Sequence, residues 1–214
     1  GTAAFASRGL VLSFFGKSSH ASQPENGQNP ARAISKLIID IPELTAREDH
    51  RGIVMATVVC VRIGEEAFGT NAGFGQLMLT IRAEFESELD ALDAEICARA
   101  CAYARQDGIT NVEIQYRDSF PETRNTPDAV AAVRKARLEC GLPEAHWDEP
   151  FRSSEDFGCY TKLTSGALFY IGCGTRHAKL HTREYDFNDE IIEPAVDMMF
   201  RDEPFRSSED FGCY

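Results

Sequence analysis

The sequence predicts an α/β fold whose first part is one antiparallel sheet covered by two helices. Three observations support this prediction. Some segments alternate apolar and polar residues or are rich in β-branched residues, which is typical of strands. Other segments carry apolar residues at helical spacing and begin at recognisable caps. The two kinds follow one another in the order β-α-β-β-α-β.

The first strand and helix flank a polar loop. Ser7–Lys17 alternates apolar and polar residues and is predicted to be a strand. Asn29 is predicted to cap a helix that has Pro30 in its first position and Pro42 in its last turn or at its end. The apolar face of this helix comprises Ala33, Ile34, Leu37, Ile38 and Ile41.

Two more strands, a helix and a fourth strand complete this unit. The strands are predicted at Gly52–Gly64 and Gln76–Phe85, the second with clear alternation. Ser87 and Asp90 predict a capping box at the start of a helix that runs to about Gln106. Asn111–Asp118 is the last strand. Residues 8–119 therefore have the ferredoxin-like β-α-β-β-α-β order.

The segment after residue 119 has a different pattern. A helix is predicted from the Thr126 cap to Gly141, and Ser153–Phe157 (SSEDF) is predicted to open a short helix with two acids in its first turn. Ser165–Gly174 is predicted to be a buried strand, and a last helix begins near Glu190. The cap of that last helix is predicted to be Asn188 or Asp186. One strand cannot close a sheet, so we expect part of a larger α/β domain.

A block of thirteen residues, DEPFRSSEDFGCY, occurs at 148–160 and again, unchanged, at 202–214. A solenoid is excluded because only this block recurs, whereas solenoids need several stacked repeats. The first copy lies between a predicted helix and a predicted strand. We therefore predict that residues 148–160 are the native copy and that 202–214 is an added or misassigned tail.

Composition excludes several classes of function. The net charge is −12, and such an acidic surface repels phosphate backbones, so we expect no nucleic acid partner. The longest apolar runs, such as Ile53–Ile63, are shorter than the ~20 residues that cross a bilayer, so no membrane partner is expected. Seven scattered cysteines indicate reduced thiols and a cytoplasmic location.

Three motifs in order, GKSSHASQPENGQNPARA, SSEDF and LHTREYDFND, resemble the aminoacylase-type metal-dependent amidohydrolases, in the branch of hippurate hydrolase and indoleacetyl-amino-acid hydrolases. This resemblance implies a two-metal catalytic domain with an inserted ferredoxin-like lid that dimerises. The family's Cys-Gly-His segment and catalytic Glu-Glu pair precede the lid and do not occur in this sequence. Residues 1–7 are then the end of a catalytic segment or a linker, 8–119 the lid, and 120–201 the C-terminal catalytic segment.

The resemblance also implies roles for individual residues. His20 would reach into the partner subunit's active site and stabilise the oxyanion. Asn71 and Arg82 would bind substrate, Arg82 by gripping a carboxylate, although Ala72-Gly73 replaces the Ile-Pro that usually follows the Asn in the family. His181 would bind one of two divalent metal ions (zinc, manganese or cobalt). The substrate would be an N-acyl amino acid.

Glu155 is predicted to contribute to the substrate pocket, because the family places SSEDF there. Two other functions remain open. The chain could be a non-catalytic dimerisation module, since the free edge of a ferredoxin-like sheet can pair with a second copy. Alternatively, Cys173, His177 and His181 share a four-residue spacing that could form a small zinc site.

Overall fold

The computed structural model describes residues 1–145, 149–174, 178 and 182–201. The strands are β1 (Thr2–Ala4), β2 (Ala6–Phe15), β3 (Ser19–His20), β4 (Val54–Ile63), β5 (Thr70–Asn71), β6 (Phe74–Ala83), β7 (Asn111–Phe120) and β8 (Thr123–Arg124). The helices are α1 (Ala31–Thr45), α2 (Glu86–Gln106), α3 (Pro127–Glu139), α4 (Phe157–Thr161) and α5 (Ile192–Arg201), with 3-10 turns at Pro24–Asn26 and Asp189–Ile191.

Four long strands form one antiparallel sheet in the order β4-β6-β2-β7, and α1 and α2 pack on the same face of it. This arrangement confirms the predicted ferredoxin-like unit. The connections place the first and third strands of the unit at the centre and the second and fourth at the edges. The two exposed edges are therefore those of β4 and β7.

The core lies between the sheet and these two helices. Every second residue of β2 and β6 points into this core, which explains why apolar and polar residues alternate in both segments of the sequence. The fully buried side chains of these strands include Leu10, Leu12, Phe14, Leu77 and Ile81, and the helices add Ile34, Leu37, Leu89 and Ile96. Each such burial contributes roughly 1.5–3 kcal/mol to the stability of the sheet.

One ion pair lies within this apolar layer. Arg8 is opposite the buried Ile81 in the sheet, so its side chain faces α2, where it bonds Asp93 at 2.5 Å and Asp90 at 2.9 Å. The Asp93 side chain is 8% exposed, whereas that of Asp90 is 60% exposed. The Cys97 thiol lies 3.3 Å from Asp93. Burial, with a smaller contribution from Asp93, raises the pKa of Cys97 to about 12.

Of the two helix caps predicted for this unit, the one at Ser87 is wrong. No capping box forms at Ser87, because α2 begins one residue earlier, at Glu86, without a side-chain cap of its own. The carboxylate of Glu122 instead accepts the Glu86 N–H at 2.8 Å, which places a negative charge at the positive end of the helix. Asn29 makes the predicted capping contact, since its side chain accepts the Ala31 N–H at 2.9 Å, although α1 starts one residue later than expected, with Pro30 at the N-cap position.

The N-terminal strand joins the first copy of the repeated block to the rest of the chain. β1 pairs with β8 on one side, and Ala4 forms a parallel bridge with Phe151 on the other. The Phe151 N–H donates to Ala3 at 2.9 Å, and the Phe5 N–H donates to Phe151 at 3.1 Å. The second copy, at 202–214, lies outside the described residues.

Two predictions for the C-terminal segment are also wrong. Residues 165–174 form no strand, since no neighbouring strand in the described part of the chain builds a ladder with them. They are bonded instead to the loop before α3, where the Asn125 side chain bonds both backbone groups of Leu168 at 2.8 Å. The two acids of SSEDF precede α4, which begins at Phe157, so they do not lie in its first turn.

The last helix follows the prediction closely. Asn188, rather than Asp186, caps it through a hydrogen bond from the Glu190 N–H at 3.1 Å. In the described part of the chain, no helix is both long and apolar enough to cross a bilayer. The six cysteines there are all free thiols.

Candidate functional site

His20 lies at one end of the lid sheet, in a loop fixed by a second small pair of strands. In this pair, β3 and β5 are antiparallel, with Ser19 opposite Asn71 and His20 opposite Thr70. The pairing continues for one more residue, where the Ala21 N–H donates to the Gly69 carbonyl at 2.9 Å. The imidazole of His20 is exposed. The loop therefore presents the ring to solvent on a hydrogen-bonded support.

The contacts of His20 select one tautomer of its ring. Nδ1 lies 3.2 Å from the backbone N–H of Ser22 and 2.7 Å from the Ser22 hydroxyl. A backbone N–H can only donate, so Nδ1 is the acceptor. In the neutral ring the proton then lies on Nε2. His20 is therefore arranged to offer Nε2–H as a donor on the side away from Ser22.

Asn71 belongs to the same end of the sheet as His20. Its side chain accepts from Asn29 Nδ2 at 2.7 Å and donates to Ser19 Oγ at 3.1 Å. Gly27 packs against these groups, and a Cβ atom there would lie 2.5 Å from Asn71 Nδ2 and 2.6 Å from Ser19 Oγ. The amide of Asn71 is thus held by the protein, and it ties the His20 loop to the start of α1.

Arg82 lies near the other end of β6 and contacts the SSEDF segment. Its Nη1 donates to Ser154 Oγ at 2.8 Å and to the Arg152 carbonyl at 3.0 Å. Within the described residues, Nη2 and Nε of Arg82 make no hydrogen bond. One nitrogen of the guanidinium is therefore used by the protein, and the remaining edge is available to a carboxylate.

Glu155 is adjacent to the residue that binds Arg82. It is half-buried, and its Oε1 is shielded from solvent without a hydrogen-bond partner in the described part of the chain. Tyr170 stacks on Phe151 with ring centroids 4.1 Å apart. Its phenol is close enough to Glu155 for the negative charge of the carboxylate to affect its pKa. Burial, and secondarily the charge of Glu155, raise the pKa of Tyr170 to about 12, so its phenol keeps its proton at neutral pH.

The predicted site residues form two groups rather than one. His20 and Asn71 lie at one end of the sheet, and Arg82 and Glu155 at the other. Phe74 and Arg82 are separated by eight residues of a strand, which span about 26 Å at a rise of 3.3 Å per residue. A small amide cannot contact both ends of one chain.

The described residues do not make a metal site. No group of three His, Cys, Asp or Glu side chains within 1–145, 149–174, 178 and 182–201 is placed to hold a metal ion. The predicted ligand His181 lies outside the described residues, as does His177 of the alternative zinc site with Cys173. Both metal assignments therefore remain predictions.

Sequence reasoning missed the residues that support the candidate site. Ser22, which selects the tautomer of His20, lies in the same GKSSHAS motif and could have been proposed from its spacing. Ser154, the partner of Arg82, is part of SSEDF but lies 72 residues away. Nothing in a local pattern indicates that contact.

Comparison with known proteins gives the same relationship by independent routes. The sequence model of the family described as "Peptidase dimerisation domain" matches residues 2–107. The chain is 23% identical to hippurate hydrolase of Campylobacter jejuni over 188 residues, 86% of this chain and 48% of that protein. It is 27% identical to N-acetyldiaminopimelate deacetylase of Bacillus licheniformis over 202 residues, 89% of this chain and 50% of that protein.

Solved structures show the same fold. One is described as an aminohydrolase from methicillin-resistant Staphylococcus aureus, with a TM-score of 0.78, 19% identity, and coverage of 92% of this chain and 52% of that one. Another is aminopeptidase PepT from Bacillus cereus, with a TM-score of 0.70, 14% identity, and coverage of 91% and 50%. The chain spans about half the length of the curated relatives it matches. The resemblance inferred from the three motifs is confirmed.

Proposed function

Because residues 2–107 of this chain belong to the peptidase dimerisation domain family, we propose that it dimerises and supplies part of an amidohydrolase active site. The reaction would release an amino acid from an N-acyl amino acid. The assembly of this chain with the family's metal-binding segment is called the complete enzyme below. Relatives named for hippurate and for N-acetyldiaminopimelate support the substrate class.

The observation that carries this proposal is the arrangement of His20. Hydrolysis of an amide places negative charge on the carbonyl oxygen, and a fixed N–H donor stabilises that charge. His20 offers Nε2–H from an exposed ring whose other nitrogen is held by Ser22. His20 would therefore act as the oxyanion donor.

The other end of the sheet would bind the amino-acid half of the substrate. Arg82 keeps one edge of its guanidinium free of the described residues and is suited to a substrate carboxylate. Glu155, next to the Ser154 that bonds Arg82, would lie beside this carboxylate-binding position, with its shielded oxygen facing the protein. In a two-fold dimer, the His20 end of one subunit and the Arg82 end of its partner would complete one site.

The divalent metal ions belong to the complete enzyme in this proposal. Proteins of this family generally depend on divalent metals, and His181 would be the one ligand from this chain. The described side chains alone do not fit a metal ion. The cytoplasmic location is proposed from the six free cysteines.

We place the dimer contact at the edge of β4. This strand exposes apolar side chains, with Val59 62%, Val61 41% and Val58 37% exposed. The other edge, β7, is exposed over Gln115–Ser119 and carries Arg117 and Asp118, the latter with φ of 45°. Both edges are irregular, since β4 has a register shift between Val58 and Cys60, but charged side chains protect an edge from pairing whereas the exposed valines of β4 favour it.

The proposal is tested with the complete enzyme and an N-acyl amino acid such as N-benzoylglycine. We expect amino acid release that stops when a chelator removes the metal. His20→Ala should lower kcat about 10²- to 10³-fold, as loss of an oxyanion donor does elsewhere, with little change in KM. Activity that survives chelation, or an unchanged kcat in His20→Ala, would overturn the proposal.

A second candidate function is a dimerisation module without catalysis. It is favoured by the exposed apolar edge of β4, which could pair with a second copy with or without a metal ion. The two candidates differ in one result. A module would leave the complete enzyme inactive on every N-acyl amino acid while the chain still forms dimers.

A further inference from the structure

The most exposed aromatic side chain in the described structure lies beside His20. Phe68 is 99% exposed, although a phenylalanine gains stability from burial. It follows Glu65 and Glu66 in the loop between β4 and β5, and both of these residues are also exposed. Single exposed apolar side chains are common on protein surfaces, so the position of Phe68 decides whether it can contact a ligand.

The loop that carries Phe68 is fixed by backbone hydrogen bonds. The Ala67 N–H donates to Glu65 at 2.8 Å, and the Thr70 N–H donates to Ala67 at 3.1 Å. The next residue, Gly69, accepts the Ala21 N–H at 2.9 Å. Phe68 is therefore presented by a closed turn that is attached to the His20 loop.

The same hydrogen bonds limit the distance between Phe68 and His20. His20 is paired with Thr70, and paired residues of antiparallel strands have Cα atoms about 5 Å apart. Two further residues of chain add at most about 7 Å. The two Cα atoms thus lie within about 12 Å of each other. Both side chains can contact one small molecule.

More aromatic side chains are exposed at this end of the sheet. Phe15 and Phe74, opposite one another on β2 and β6, have ring centroids 5.2 Å apart and are 39% and 42% exposed. Together with Phe68 they are three of the five exposed phenylalanines in the described residues. This end of the sheet therefore carries three exposed aromatic side chains as well as the His20 donor, and the Phe68 loop adds two carboxylates.

We propose that Phe68 contacts the acyl group of the substrate and gives the enzyme a preference for apolar, uncharged acyl groups. This inference rests on the proposed function of His20. The carbonyl that His20 would polarise is attached to the acyl group, so a side chain this close to His20 meets that group. An aromatic acyl group would stack on Phe68, whereas Glu65 and Glu66 would repel an acyl group that ends in a carboxylate.

The test compares two substrates of the complete enzyme, N-benzoylglycine and N-acetylglycine. Phe68→Ala should lower kcat/KM for the benzoyl substrate about tenfold or more and leave the acetyl substrate nearly unchanged. Phe68→Leu should keep part of the preference. The matched control is Ile39→Ala, which removes another exposed apolar side chain, 74% exposed on α1, and should change neither value.

The outcomes separate this inference from the proposed function. If the wild-type enzyme hydrolyses neither substrate, the proposed function fails. If it hydrolyses them and Phe68→Ala lowers both equally, or neither, the acyl contact is wrong. Sedimentation velocity on the variant gives a second check. Loss of the dimer in Phe68→Ala would mean that Phe68 packs on the partner subunit and would overturn the acyl contact.

Discussion

Arg82 and Ser154 are joined by a hydrogen bond of 2.8 Å between Nη1 and Oγ, across 72 residues of chain. This bond ties the end of a central lid strand to the SSEDF segment. It fixes one side of the guanidinium while Nη2 and Nε make no hydrogen bond to the described residues. Arg82 therefore holds the segment that contains Glu155, and the rest of its guanidinium makes no hydrogen bond to the described residues.

Replacing Arg82 tests both roles. Arg82→Lys keeps the charge but loses the planar fork, so kcat/KM for an N-acyl amino acid should fall about 10- to 100-fold, mainly through KM. Steady-state kinetics of the complete enzyme measure this change. Arg105→Lys, the same change at an exposed position in the last turn of α2, is the control and should behave as wild type. Equal effects of the two variants would contradict the substrate role of Arg82.

The ion pair of Arg8 should stabilise the lid through Asp93 and hardly at all through Asp90. Asp93→Ala removes the buried partner of the largely buried Arg8 guanidinium, so we expect the free energy of unfolding to fall by about 3 kcal/mol. Asp90→Ala removes an exposed partner and should cost less than about 1 kcal/mol. Urea unfolding of both variants measures the difference, and similar losses would show that burial of Asp93 does not decide the energy of the pair.

Cys97 should be unreactive in the folded protein. Its pKa is raised from the usual 9.0 to about 12, so almost no thiolate exists at neutral pH. A disulfide reagent should modify the exposed Cys159 first and Cys97 only after unfolding.

The same raised pKa should make stability depend on pH. Because the folded state keeps the Cys97 proton to a higher pH than the unfolded state does, the free energy of unfolding should fall as pH rises between about 9 and 12. Cys97→Ala should remove that part of the pH dependence, and rapid labelling of Cys97 would contradict the raised pKa.

The β4 edge should hold the dimer together. Val59→Lys places a charge on the apolar edge and should convert the dimer to monomer at micromolar concentration. Sedimentation velocity measures this change. Glu113→Lys, an exposed site on the opposite edge strand β7, is the matched control and should remain dimeric. If the dimer dissociates only in the β7 variant, the contact is at the other edge.

Much of the lid could be predicted from the sequence because its strands follow the burial pattern of one face. Buried and less buried residues alternate along all of β6, so the alternation of apolar residues in the sequence was enough to predict Leu77, Leu79 and Ile81 as core residues. The start of α2 was not evident. Its N-terminus is capped by Glu122, which lies 36 residues away. A capping box at Ser87 was locally plausible but was displaced by this long-range contact.

The sequence was enough to predict which residues belong to the candidate site, but not how they are arranged in space. The motif around His20 identified the residue, but its pairing with Thr70 depends on a contact between two loops. The strand predicted at residues 165–174 failed for a related reason. Its composition is that of a buried strand, but strand structure also needs a neighbour with which to form a ladder.

We expect one active site to take His20 from one subunit and Arg82 from its partner. Mixing two inactive variants of the complete enzyme, His20→Ala and Arg82→Ala, tests this directly. Each mixed dimer would contain one intact site and one doubly defective site, so random exchange of subunits in a two-fold dimer should restore about a quarter of wild-type activity. Activity that remains at the level of the separate variants, with mixed dimers present, would contradict the shared site.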